Sequence, residues 1–222
     1  MRSQGKQLLS LALVCTSLVV LAAARSFVMP KASHARAYPA HDEHPNEKVT
    51  IAADPYDTPE KLKTFDFNYL EHGILPVFLV VSNDRDGAVP LVNMRLELVT
   101  RDRSKLSPLS NDDIYRRLTR IKAPTPGDSP RDRLPFPLPG HKKVKGLVPK
   151  KVAAELESAR FAAMAVEPHS TQSGFVFFDV SDLSDAASGA TLYVTGVKDN
   201  NGNELMYFEI PLDKYVQTRP VQ

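Results

Sequence analysis

The amino-acid sequence predicts a mainly β protein, an antiparallel sandwich of about seven strands with an inserted helical and proline-rich segment. Several segments of strand length are continuously apolar or alternate between apolar and polar residues. Two of these segments flank an Asn-Gly pair, which is typical of a hairpin turn. The 18 prolines outnumber the 10 glycines and argue against a helical bundle. A chain of 222 residues can bury one substantial core, so we predict a single globular domain.

The first 37 residues have the composition of a secretory signal peptide. Arg2 and Lys6 precede an apolar run over residues 8–24, and small residues then offer two cleavage sites, Ala22–Ala24 and Ala35–Ala37. We favour the second site because a polar stretch follows it. An uncleaved anchor is the alternative, since a mainly apolar run of 17 residues is at the short end of a membrane span. Both interpretations predict a periplasmic, cell-surface or secreted protein.

The only cysteine, Cys15, lies inside the apolar run of this segment. Val14 precedes it where a lipoprotein signal has a small residue, so lipidation is not expected. Cleavage at either site leaves a chain without disulfides, a thiol nucleophile or a thiolate metal site. No cofactor is predicted.

The first strands follow a polar lead-in over residues 38–48, which is predicted to be flexible. Residues 49–53 are apolar and predict a short strand, and residues 65–69 alternate aromatic and polar side chains, as a half-buried strand does. The valine-rich run 74–82 predicts a central strand. It ends in a turn sequence, and the alternating segment 89–100 is predicted to pair with it as a hairpin.

The middle of the chain interrupts the strand pattern. Ser110 followed by Asp113 resembles a capping box, and residues 114–121 then predict a short cationic helix. Six prolines in residues 123–141 exclude a central strand there. Pro149 suits the first turn of a second helix. The residues predicted to turn that helix towards the core are Val152, Leu156, Ala159 and Ala163.

The last third returns to strands over residues 173–180, 190–197 and 204–212. The last two are predicted to form a hairpin around Asn201-Gly202. The order of strands, helical insertion and strands favours a sandwich of immunoglobulin-like type. The predicted organisation is a signal peptide at 1–37, a lead-in at 38–48, one domain at 49–216 with its insertion at 101–164, and a tail at 217–222.

Two blocks of the chain resemble exported bacterial immunoglobulin-like domains. PVFLVVSND and VPLVNMRLELVT are similar to the paired strands of such domains, and the closing GATLYVTGVKDNNGNELMYFEIPL has the same character. The insertion departs from their simple pattern. The resemblance implies a binding, adaptor or structural module of the cell envelope and assigns no functional residues.

Charge is strongly segregated along the chain. Residues 101–151 hold 14 basic and five acidic residues, a local charge of +9, whereas residues 38–222 as a whole hold 23 basic and 26 acidic residues. The remainder of that stretch is therefore near −12. A basic surface of this kind attracts a polyanion, and a solvated face that balances the acidic body is the alternative. The candidate contact residues are Arg116, Arg117, Arg120, Lys142, Lys143, Lys145, Lys150 and Lys151.

Two histidines offer a candidate metal site. His41 and His44 flank two carboxylates, a donor set that suits a divalent transition metal. The alternative is a solvated linker, because a flexible tetrapeptide must be ordered on binding. The segment 82–87 partly matches a calcium loop, but Asn93 stands where the bidentate Glu is required, so a turn is favoured.

Catalytic motifs are largely missing from the sequence. It contains no G-x-S-x-G, no H-E-x-x-H and no Gly-rich phosphate loop. His72, His141 and His169 each stand beside Gly or Pro, as turn residues do. We therefore predict non-catalytic binding in the envelope. The alternatives are a glycan hydrolase that uses two convergent carboxylates and a structural subunit that assembles by strand addition.

The predicted partners follow from the export signal and the basic insertion. They are an anionic envelope glycan, lipid headgroups or an envelope protein. Nucleic acid is not expected, since the insertion has few aromatic residues and no stacking stripe. Membrane contact is expected only if the N-terminal segment is retained.

Overall fold

The computed structural model describes residues 27–118 and 150–219, and these residues are mainly β with antiparallel sheets. The strands are β1 (His41–His44), β2 (Val49–Pro55), β3 (Ile74–Asn83), β4 (Val89–Pro90), β5 (Arg95–Val99), β6 (Lys105–Leu106), β7 (Ala165–Val166), β8 (Ser170–Asp179), β9 (Thr191–Thr195) and β10 (Phe208–Pro211). The helices are α1 (Pro59–Leu62), α2 (Asn111–Leu118), α3 (Lys150–Ala159) and α4 (Asp213–Val216).

The strands form two four-stranded sheets and a short ribbon. The first sheet has the order β1-β2-β3-β8, the second has the order β10-β9-β5-β6, and β4 pairs with β7. Every strand pair is antiparallel. The first sheet is central, because the second sheet covers one of its faces and a layer of helices and aromatic residues covers the other.

Strand β3 is buried along its whole length. Its side chains alternate between the two faces of the sheet, so Leu75 and Val77 enter the core between the sheets while Ile74 and Phe78 enter the aromatic layer. Burial on both faces explains why this segment is a continuous apolar run. The prediction of a central strand here is confirmed.

The core between the two sheets is aliphatic, with few rings. Leu98, Leu192 and Val194 from the second sheet meet Val49 and Ile51 of β2 there. The opposite layer is rich in aromatic side chains. Its buried members, besides those of β3, are Ala35, Ala52, Tyr56, Phe65, Tyr69, Ile114, Leu156, Ala159, Phe175 and Phe177.

Two helices predicted for the insertion are present. The Ser110 hydroxyl accepts the Asp113 amide at 3.1 Å and donates to its carboxylate at 2.6 Å, so the predicted capping box begins α2. Val152, Leu156 and Ala159 of α3 are buried, as predicted. The hairpin formed by β9 and β10 is also confirmed.

The predicted hairpin between residues 74–82 and 89–100 is wrong. β3 pairs with β2 and β8, whereas β5 pairs with β6 and β9 in the other sheet. The Asn83 amide group donates to three carbonyls, those of Gly87, Val166 and Glu167. These bonds join the end of β3 to the β4–β7 ribbon. The chain then passes from the first sheet to the second, where it continues as β5.

Residues 65–69 do not form the predicted strand. The segment is a series of turns in which the Phe65 and Tyr69 rings meet edge to face, with centroids 5.2 Å apart. Both rings are buried on the same side, in the aromatic layer. The alternation therefore reflects aromatic packing in a loop.

The N-terminal segment differs most from expectation. Residues 38–48, predicted to be a flexible lead-in, contain β1, which pairs with β2 from His41 opposite Ala52. Upstream of it, Ala35 is fully buried and its amide donates to the Ser82 hydroxyl at 2.9 Å. The Phe27 ring stacks on Phe65 at a centroid distance of 5.6 Å. Residues 27–37 therefore belong to the folded body.

Candidate functional site

The basic insertion is anchored at both ends on the helical layer. Ile114 of α2 and Leu156 of α3 are fully buried in the aromatic core. The two helices are joined directly, since the Asn111 amide group donates to Glu157 Oε1 at 2.7 Å. Arg160 also donates to the Leu109 carbonyl. The chain thus leaves α2 and enters α3 on the same face of the first sheet.

Four of the eight candidate basic residues lie within the described chain. Arg116 and Arg117 are on α2, and Lys150 and Lys151 begin α3. All four are therefore on the helical layer. The other four, Arg120, Lys142, Lys143 and Lys145, lie outside the described residues.

Three of these cations contact acidic groups of the same chain. Arg117 binds the Asp179 carboxylate, Arg116 lies 2.6 Å from Asp113, and Lys151 lies 3.0 Å from Asp66. Burial favours a higher pKa for Asp179, but hydrogen bonds from Arg117 and Ser181 outweigh it and leave that pKa below its usual range. The Arg117–Asp179 and Lys151–Asp66 pairs fasten the helices to the body, whereas the Arg116–Asp113 pair lies within α2.

Most of the uncompensated positive charge lies between the two helices. Residues 119–149 hold seven basic and two acidic residues, and they fall outside the described chain. The candidate contact region is therefore a basic segment whose two ends are fixed on one face of the protein.

The structure does not bring His41 and His44 together. They are three residues apart on β1, and an odd separation directs side chains to opposite faces of a strand. His41 Nδ1 lies 2.7 Å from the Tyr38 carbonyl, whereas the His44 ring stacks on Phe208 at 4.0 Å. Across residues 27–118 and 150–219, no group of three or more His, Cys, Asp or Glu side chains is arranged to hold a metal ion.

The side chains of residues 82–87 also point away from a common centre. Asn83 Oδ1 accepts the Arg85 amide at 2.9 Å. The Asp84 carboxylate lies 3.2 Å from His34, and Asp86 lies 3.0 Å from His169. These contacts fix the loop by hydrogen bonds, in line with the favoured turn interpretation.

A cleft between the β8–β9 connection and α4 contains two carboxylates that sequence analysis did not single out. Arg219 Nη1 lies 2.6 Å from Asp57 Oδ2, and Nη2 lies 2.9 Å from Asp185 Oδ2. The Tyr215 hydroxyl donates to Asp57 at 2.5 Å. Asp57, Asp185 and Arg219 are far apart in the sequence, so no periodic pattern indicates that they meet.

Both acids bind the same guanidinium, whereas a glycan hydrolase uses two carboxyl groups that converge on its substrate. Such a pair needs one carboxyl that holds a proton and one that does not. Hydrogen bonding to Arg219 keeps the pKa of Asp185 below its usual range. Arg219 bridges both groups, so this cluster forms an ion-pair network that joins the C-terminal helix to the body.

Helix α3 carries a buried carboxyl group on the side that faces the core. Glu155 is 3% exposed, and its Oε2 accepts the Asp66 amide at 2.5 Å. The buried Tyr69 hydroxyl faces this carboxyl group. Burial raises the pKa of Glu155 above its usual value.

Comparison of the chain with family models, with curated proteins and with solved structures gave no match. Within the described ranges, the helices are all too short or too polar to cross a membrane. The geometry and charge of the molecule are therefore the basis for a functional assignment.

Proposed function

We propose that the protein is an exported, non-catalytic binding module of the cell envelope that contacts an anionic glycan through its basic insertion. The observation that carries the proposal is the charge segregation, +9 over residues 101–151 against about −12 in the rest of residues 38–222. A polyanion is attracted to such a segment and is repelled by the acidic body, which favours one orientation of binding.

The scaffold supports this role. Two antiparallel four-stranded sheets face each other across an aliphatic core, and we propose that they form an immunoglobulin-like sandwich. Ile114 and Leu156 fix the two helices on either side of residues 119–149 to the layer that covers the first sheet.

Export in this form requires cleavage upstream of Phe27. The Ala35–Ala37 site lies inside the folded body, where Ala35 is fully buried. We therefore assign processing to the Ala22–Ala24 site. N-terminal sequencing of the protein recovered from the envelope tests this assignment. A new terminus after Ala24 supports it, one after Ala37 contradicts it, and an intact Met1 contradicts cleavage itself.

Retention on a sulfated-dextran column across a salt gradient tests the binding role. The wild-type protein should elute late, and its retention should fall as salt screens the charges. Changing Lys142, Lys143 and Lys145 to Glu should abolish the retention. The matched control changes Lys31, Lys63 and Lys214 to Glu, because these exposed lysines lie outside the insertion and carry the same total charge.

Equal losses in the two variants would mean that net charge alone governs retention. Early elution of the wild-type protein would reject glycan binding. Binding to vesicles of anionic lipid, with no retention on the column, would assign the insertion to lipid headgroups instead.

A further inference from the structure

The cleft beside Arg219 has a ligand-sized volume and both apolar and charged side chains in its lining. Its volume is about 560 Å³, within the usual range for small-molecule sites. Leu75 and Val180 at its base are almost fully buried and belong to the core between the sheets. The other apolar residues that line it are Leu70, Leu183, Ala186, Ala187 and Val216.

Three charged residues line this cleft at different depths. The lining charges are those of Asp57, Asp185 and Arg219, and they sum to −1. The Asp185 side chain is 43% exposed, whereas that of Asp57 is only 10% exposed. A ligand that enters from solvent therefore meets Asp185 first.

The surroundings keep the cleft negative. The connection formed by residues 181–187 carries Asp182 and Asp185 and no basic residue. The nearby Asp54 is neutralised by its own partner, Lys61, at 2.6 Å. Arg101 lines the adjoining cleft together with Asp185, and Asp102 in the same lining offsets its charge.

Arg219 already has two carboxylate partners. Its two Nη atoms donate to Asp57 and Asp185, so an incoming anion would have to displace one of them and approach the other. An incoming cation has only to share Asp185 with Arg219, and it lowers the net charge of the cleft. The electrostatics therefore favour a cationic ligand over an anionic one.

We propose that this cleft binds a small apolar ligand that carries a single ammonium or guanidinium group. The apolar body packs against the partly exposed Leu183 and Val216, and the cationic group donates to the exposed Asp185 carboxylate. Arg219 occupies the cleft as a resident counter-ion when the ligand is absent. This site is separate from the basic insertion and does not depend on the proposed glycan binding.

Isothermal titration of the purified protein with hexylamine tests the site. We expect saturable binding of hexylamine at pH 7 and much weaker binding of hexanol and hexanoate, which keep the chain length but lack the positive charge. Asp185→Asn should weaken hexylamine binding at least about tenfold, the scale of one charge-assisted hydrogen bond. Asp182→Asn is the matched control, since Asp182 is exposed on the same connection and does not line the cleft.

Arg219→Gln provides a second variant with the opposite expectation. It removes the resident cation and leaves a lining charge of −2, so hexylamine should bind several-fold more tightly. A thermal melt of each variant confirms that it is folded. Equal binding of hexanol and hexylamine would show that the cleft binds apolar ligands without regard to charge. Tighter binding of hexanoate than of hexylamine, if it is lost in Arg219→Gln, would show that the cleft is an anion site. Either result overturns the proposal.

Discussion

The backbone amide of Asp66 donates to Glu155 Oε2 at 2.5 Å and so joins a loop of the aromatic layer to α3, 89 residues later in the chain. The carboxyl group that accepts this bond is almost completely buried. The groups that face it are the Asp66 carboxylate, with Lys151 paired to it at 3.0 Å, and the Tyr69 hydroxyl. Packing of α3 is therefore coupled to the protonation of one side chain.

Replacing Glu155 with Gln should stabilise the protein at neutral and alkaline pH. The pKa of Glu155 is raised in the folded state, so its contribution to stability is present below the unfolded pKa of about 4.3 and is lost as the pH rises through the folded pKa. Gln accepts the same Asp66 amide without a buried charge. We expect a gain on the order of 1 kcal/mol at pH 8, measured by urea unfolding between pH 4.5 and pH 8.

Glu60→Gln is the control for this experiment, because Glu60 is exposed on α1. Asp113, Asp179 and Asp185 have lowered pKa values, and their contribution to stability is lost at acid pH. These groups act equally in both variants, so the difference between variants isolates Glu155. A constant difference from pH 4.5 to pH 8 would argue against a buried titrating carboxyl.

The limits of sequence analysis are visible in particular elements. β3 was predictable because burial on both faces requires a continuous apolar run. β1 was not, since its sequence, HDEH, has no apolar alternation and its place is fixed by pairing with β2. The Asp57–Arg219 pair was not predictable either. Its two residues are 162 positions apart, and a charged residue considered alone is expected to face solvent. Local periodicity predicts elements, whereas contacts between distant polar residues depend on the folded chain.

Removing residues 25–37 should destabilise the domain strongly. Phe27 stacks on Phe65, and Ala35 is fully buried beside Ser82, so a chain that begins at Tyr38 loses these contacts. Relative to a chain that begins at Arg25, we expect a loss on the order of 3 kcal/mol in the free energy of unfolding, measured in urea. Equal unfolding midpoints for the two chains would show that the segment does not belong to the body.

Replacing Gly174 with Ala should distort the contact between β8 and the end of α3. A Cβ atom at this position would lie 2.5 Å from Phe161 Cα, a backbone atom that cannot move aside as a side chain can. The Phe161 amide donates to the Phe175 carbonyl at 2.9 Å, which holds the two segments at this separation. We expect a loss of about 1–3 kcal/mol in the free energy of unfolding.

Gln172→Ala serves as the control for this strand, because Gln172 is exposed on β8. A substitution there should change the free energy of unfolding by less than about 0.5 kcal/mol. If Gly174→Ala is as stable as this control, the backbone of residues 160–161 is free to shift, and the close approach has no structural importance.

The edge of β10 is protected by carboxylates from the N-terminal segment, and removing them should expose it. Asp42 Oδ2 accepts the Glu209 amide at 2.8 Å, and Glu47 Oε1 accepts the Met206 amide at 3.0 Å. Both amides would otherwise be open to a strand from another molecule. We expect the variant with Asp42→Ala and Glu47→Ala to form concentration-dependent oligomers in analytical ultracentrifugation, while the wild-type protein stays monomeric.

The control carries Glu43→Ala and Glu60→Ala, which remove the same total charge but no hydrogen bond to the Met206 and Glu209 amides, since Glu43 binds Arg36 and Glu60 is exposed on α1. Oligomers in this control as well would attribute association to reduced charge repulsion. Oligomers in the wild-type protein would show that the carboxylates do not close the edge, and would favour a structural subunit that assembles by strand addition. A monomeric edge variant would mean that packing of β10 against β1, and not its side-chain hydrogen bonds, keeps other strands away.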